Sequence, residues 1–407
     1  MRKSAWALGL LSVLCASLNF SGAGAMAATP TYGLDAANRV ITIHHVGNVT
    51  AEINSALTYL VNRPDKTTPW TVRFDGGTYP ITTTLFSEKL QNVSFISNPF
   101  NPAILAKTPG FPTEYLFYTR FSKNISMSGF TIIGNTPTYI PANYVTGTSI
   151  GWQDQGVYFG SCNGVTISKN RFLNIGDAAI RVTTTERDPV PGVDSFNTQI
   201  TQNYFDNIYQ VTTTSNDTIH GGSAYLLMQD NTFDHIWGSV KFATRTSGAT
   251  NVAFRNNRIN YSATDGIEIV GYNNVEISNN SLQNITRNAV NCYTNSISTA
   301  GYEWGDNISF TNNVFNKVGN GIRLSADPYN DGFKPQLKNL TISGNSISNL
   351  TGATPALTLL KSSFPGLSIT NNQFSGIPSR VYLYMPLKNT TALLSGNKLD
   401  TRAFSLF

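Results

Sequence analysis

The chain has 407 residues, of which only 13% are charged, and its formal net charge is +5. So low a charge density, with abundant Asn, Thr, Ser and Gly, excludes a bundle of charged amphipathic helices; the mild basicity suits an anionic partner without requiring one. No zinc-type Cys/His spacing, Gly-rich phosphate loop or nucleic-acid motif occurs, so the expectation is no metal site and no nucleic-acid partner.

Residues 1–27 read as a cleavable secretory signal. Basic Arg2 and Lys3 precede an apolar run from Ala5 to Leu18, and small residues end at Ala25-Met26-Ala27. The run is shorter than the roughly 20 residues of a membrane span. The expectation is a secreted or periplasmic protein, cut near Ala27 and without a membrane anchor. Loss of Arg2 and Lys3 lowers the charge from +5 to +3.

Residues 28–91 are read as an N-terminal segment with a cap helix and a first strand. Asn48 to Val61 forms a capped amphipathic helix with Ile53, Ala56, Leu57 and Leu60 on one face. Thr71 to Tyr79, through Phe-Asp-Gly-Gly-Thr-Tyr, is a strand and turn. A helix that plugs the open end of a solenoid hides both its core and its strand edges.

From residue 92 to 407 one phrase recurs: a short alternating strand, a polar turn with Asn, then an apolar residue. Asn163 to Phe172, Asn251 to Ile259, Asn307 to Phe315 and Asn339 to Ile347 are copies of it. The turn asparagines fall at Asn98, Asn170, Asn203, Asn231, Asn257, Asn280, Asn313, Asn345, Asn372 and Asn397, with Phe130 in the missing place. The shortest interval is one bare coil of three short strands, and longer intervals add loops. The pattern specifies an all-β, single-stranded right-handed parallel β-helix of about 11 coils, a solenoid built on Asn ladders. The ladder asparagines are structural in this reading and are expected to take the left-handed turn conformation. Cys162 and Cys292, several coils apart, are expected to be buried free thiols.

The cap helix, the Phe-Asp-Gly-Gly-Thr-Tyr turn, the run Asn124 to Ile132 and the coil ending Asp265-Gly-Ile-Glu-Ile resemble the pectate-lyase-like superfamily. That resemblance covers nearly all of the chain after residue 27. It implies polysaccharide lyases, glycosidases and epimerases as the field of activities, and one scaffold hosts them all.

Stacking the strand after each Asn turn aligns one outward column: Tyr158, Arg181, Thr212, Lys241, Glu268, Asn291, Arg323. Four of these seven are charged in a chain where charge is scarce. Elimination across a uronate, or inversion at C5, needs a cation for the carboxylate, a base for the adjacent proton and an acid for the leaving oxygen. Lys241, Arg181, Arg323 and Glu268 are the catalytic candidates, with Lys241 as base and the arginines as carboxylate holders; the resemblance likewise implies an Arg or Lys base. Tyr158, Tyr272, Asn291, Tyr293, His220, Arg245, Trp152 and Trp304 are the substrate-binding candidates, the last two on long loops flanking the column. His44, His45 and His235 are read as structural, and Asp177 and Asp265 as caps. Many relatives bind calcium through clustered carboxylates, and no such cluster is visible here, so no cofactor is assigned.

The sequence reading is therefore a lyase or C5-epimerase of an anionic polysaccharide. Its alternatives are an inverting hydrolase using Glu268 with Asp327, with Glu186 a more remote partner, and a non-catalytic glycan-binding or export protein. A self-satisfied surface ion ladder is the plain structural explanation of the same column.

Overall fold

The computed structural model describes residues 32–136, 154–183, 195–213, 223–243, 251–270, 273–295, 305–327, 337–360, 363–385, 392–400 and 404–406. The proposed signal segment lies outside them. Among the described residues no helix is long and apolar enough to cross a membrane.

Alternation with period two sends one side chain in and the next out, and parallel stacking turns each inward position into a column. In the first sheet one such column runs Phe95, Met127, Ile167, Ile200, Met228, Phe254, Ile277, Phe310, Ile342, Ile369 on successive rungs. A second sheet supplies Phe172, Phe205 and Phe233, whose rings stack at 5.0 and 4.7 Å. Within the second sheet, long strands such as Arg171–Thr183 and Ser281–Asn295 carry register shifts between Ile175 and Ala178 and between Ile285 and Asn288. The result is a right-handed parallel β-helix, as the repeat predicts.

The first sheet already contains Val40–Ile43 and Trp70–Phe74, parallel to Gln91–Ser97. Stacked coils therefore begin ahead of residue 92, because residues 40–43 and 70–74 carry the same alternating pattern. The α-helix Val49–Asn62 is capped by the Asn48 side chain, which accepts from the Ala51 N–H at 3.2 Å, and it buries Ile53, Ala56, Leu57 and Leu60. In the Asp-Gly-Gly turn, a Cβ on Gly76 would lie 2.6 Å from the Asn101 backbone oxygen, so only glycine fits there.

The asparagine corner runs unbroken from Asn170 to Asn397. Asn257 is typical: its Nδ2 donates to Met228 O at 2.9 Å and to Asn280 Oδ1 at 3.3 Å, and its N–H donates to the same Oδ1 at 2.8 Å. Phe130 N–H ends the ladder by donating to Asn170 Oδ1 at 3.0 Å. Two details differ from the sequence reading. Asn98 is exposed and outside the ladder, because its side chain turns back to accept from the Phe100 N–H at 3.0 Å. The left-handed residue is also not the ladder Asn but the one before it: Lys169, Gln202, Asp230, Asn256, Asn279, Asn312 and Asn371, with glycine at 344 and 396. That leaves the ladder Asn free to point inward, where Asn170 to Asn372 are buried.

Candidate functional site

Strand pairing carries the outward column from rung to rung: Tyr158↔Arg181, Arg181↔Thr212, Thr212↔Lys241, Lys241↔Glu268, Glu268↔Asn291 and Asn291↔Arg323. It extends further at both ends, through Tyr118 to Phe86 on the N-terminal side and through Thr358 to Tyr384 on the other.

Two hydrogen-bonded groups occupy its centre. Lys241 Nζ sits 3.0 Å from Glu268 Oε1, with the two side chains 23% and 18% exposed. Ser239 Oγ donates to the other oxygen, Oε2, at 3.0 Å. An amine held this way is an ammonium donor to a carboxylate, so a base role for Lys241 requires the pair to open. One rung on, Arg323 Nη1 donates to Asn291 Oδ1 at 3.1 Å, and Asn291 Nδ2 donates to Asp265 Oδ2 at 3.0 Å. Asp265 also accepts from the Asn288 N–H at 3.0 Å and from Asn288 Nδ2 at 2.6 Å. Buried and bound by three N–H donors, Asp265 fixes Asn291 and through it Arg323. It is more than the cap the sequence suggests, a role invisible in sequence because its donors lie 23 and 26 residues away.

The column is covered rather than open at the Tyr158 and Arg181 rungs. Tyr158 and Arg181 are 2% and 4% exposed. Tyr115 stacks on Tyr158 at 4.8 Å, Tyr118 meets it edge-on at 4.8 Å, and the Arg181 guanidinium lies over the Tyr158 ring at 5.8 Å while Nη1 donates to Gln155 Oε1 at 3.5 Å. Both residues point outward as the alternation requires, yet large neighbours on adjacent rungs bury them. Lys241 and Arg323 are the accessible cations of the described column.

Asp327 pairs with Asn295, four residues beyond Arg323. That backbone position is roughly 13 Å along the strand and roughly 10 Å across two rungs from Glu268. Paired hydrolytic carboxyls stand about 5 to 9.5 Å apart, so the register weighs against this pair. Trp152, Glu186, His220, Arg245, Tyr272 and Trp304 lie outside the described residues, and of Tyr293 only the strand position, opposite Ser325, is described. His44 pairs with Asp75 at 2.7 Å and His235 with Asp206 at 2.8 Å, both away from the column. Cys162 and Cys292 are free and buried, and burial pushes the Cys162 thiol up to about 12. A groove of about 410 Å³ lined by Asn274, Glu276, Asn307, Ser309 and Thr341 lies on the first sheet and contains none of the column residues.

The fold is a right-handed parallel β-helix. The family model described as "Right handed beta helix region" matches residues 219–398. Among solved structures the chain is similar to PfbA, a surface adhesin of Streptococcus pneumoniae, at 15% identity and TM-score 0.63, covering 88% of this chain and 89% of that one. It is similar to an exopolygalacturonase of Thermotoga maritima at 15% identity and TM-score 0.62, covering 90% and 93%. It is also similar to the A-module of a mannuronan C-5 epimerase of Azotobacter vinelandii at 13% identity and TM-score 0.54, covering 88% and 96%. A comparison with curated proteins finds no match. These likenesses define the fold, which polygalacturonases, alginate epimerases and adhesins share.

Proposed function

We propose that this is a secreted protein that lays an acidic polysaccharide along the column and acts on it as a lyase or C5-epimerase. The observation that carries the reading is the central cluster of Lys241, Glu268, Asn291 and Arg323 on consecutive rungs, with Lys241, Glu268 and Arg323 partly exposed and the buried Asn291 held by Asp265 beneath Arg323. A substrate carboxylate competing for Lys241 and Arg323 frees Glu268, which then stands beside the chain as a proton acceptor. Both cations stabilise the charge that develops on the uronate when its C5 proton is removed. Breaking the C4–O bond, with a proton from water passing to the leaving oxygen, completes an elimination, and delivery of a proton from water to the opposite face of C5 completes an epimerisation. Two proteins of this fold, an exopolygalacturonase and a mannuronan C-5 epimerase, are named for acidic polysaccharides, which supports the choice of polymer.

The test is incubation with polygalacturonate, alginate and other acidic polymers in deuterated water. Unsaturated-uronate absorbance or deuterium at C5 is the expected result. A second reading, glycan binding without chemistry, is favoured by the closed Lys241–Glu268 pair. It gives saturable binding, no new reducing ends and no exchange, and that result would exclude the enzyme.

A further inference from the structure

At the N-terminal end of the column two successive rungs present aromatic side chains at the surface, Phe86 and Tyr118, and the next rung carries the buried Tyr158. Phe86 and Tyr118 rings are 5.4 Å apart, and Tyr115 leans on Tyr118 at 5.4 Å. Phe86 is 44% exposed, so somewhat under half of its burial value is unrealised in the protein alone. It is nevertheless held in place: the Arg120 guanidinium lies 5.8 Å from the ring centroid, and the Phe86 N–H donates to Asn54 Oδ1 of the cap helix at 3.2 Å. At the opposite end the column closes on Tyr384, which is 41% exposed.

We infer that the Phe86–Tyr118 platform is a second binding site, which stacks against the apolar face of an uncharged or charge-averted sugar in the same glycan chain. The C–H-lined face of a pyranose is the ligand surface that matches a flat, exposed, electron-rich ring, and one rung of the solenoid advances about 4.8 Å, comparable to one sugar residue. From Phe86 to Arg323 is eight rungs, or roughly 38 Å, so only a long oligosaccharide engages platform and cations together. Linking the two sites on one ligand raises affinity with chain length. Tyr384 provides a matching stop beyond the cations.

This inference rests on the acidic-glycan reading above, and the experiment separates the two. Calorimetric titration with oligogalacturonates and oligoalginates of graded length compares the wild type with Phe86→Ala, whose fold is checked by its thermal melt, and with Phe86→Trp. The expected result is wild-type affinity that climbs with length, a loss of roughly three- to tenfold for the longest oligomers only in Phe86→Ala, and its retention in Phe86→Trp. A length dependence unchanged in Phe86→Ala would overturn the platform and leave the acidic-glycan reading standing. Absence of wild-type binding to every acidic oligomer would overturn both.

Discussion

The asparagine corner and the charged column run through the same coils, and they differ in how their polar groups are satisfied. From Asn170 to Asn372 each ladder Asn is buried and bonded to the strand on one side and the next Asn on the other, so it repeats without variation and has no capacity left for a ligand. The column changes residue type at almost every rung, and its central groups stand at the surface in pairs rather than in a continuous ladder. Repetition marks the scaffold, and departure from repetition marks the site.

Breaking the ladder should have the largest effect. Asn280→Ala removes the acceptor of the Asn257 N–H, one of the two acceptors of Asn257 Nδ2 and the side-chain donor to the Phe254 carbonyl, and should cost about 3 kcal/mol in denaturant unfolding. Asp265→Ala sharpens the contrast because that residue belongs to both systems: a loss of roughly 2 kcal/mol is expected, together with weaker polysaccharide binding as Asn291 and Arg323 lose their anchor. A loss of stability without any change in binding would make Asp265 purely structural. The smallest effect is at the cap. Glu52 is buried, and burial pushes its pKa above the usual glutamate range despite the hydrogen bond from the His44 N–H. The folded carboxyl keeps its proton to higher pH than the unfolded one, so the native state binds more protons in that interval and stability falls as pH rises through it. Glu52→Gln should flatten that slope, with a change under about 1 kcal/mol at pH 7; a slope identical to wild type in thermal melts from pH 4 to 7 would contradict it.

Much of this was legible in the sequence because the ladder is a ruler. From Asn257 to Glu268 and from Asn280 to Asn291 is eleven residues, and from Asn231 to Lys241 and Asn313 to Arg323 is ten, small variations that register shifts absorb. The ruler starts at Asn170, so the coils before it carry no register in the sequence, and nothing there aligns Phe86 and Tyr118 with the column. Alternation says which side chain points outward but not whether a neighbour covers it, which is why Tyr158 and Arg181 read as exposed. For Asp265 the structural role is legible, but its bond to Asn291 is not, because that partner comes from another coil.

The central claim is that the column binds while the ladder folds. Lys241→Ala, in one preparation, should unfold within about 1 kcal/mol of wild type and lose at least about tenfold in affinity for acidic polysaccharide, since a partly buried charge contact is removed. Wild-type binding by Lys241→Ala would contradict the account.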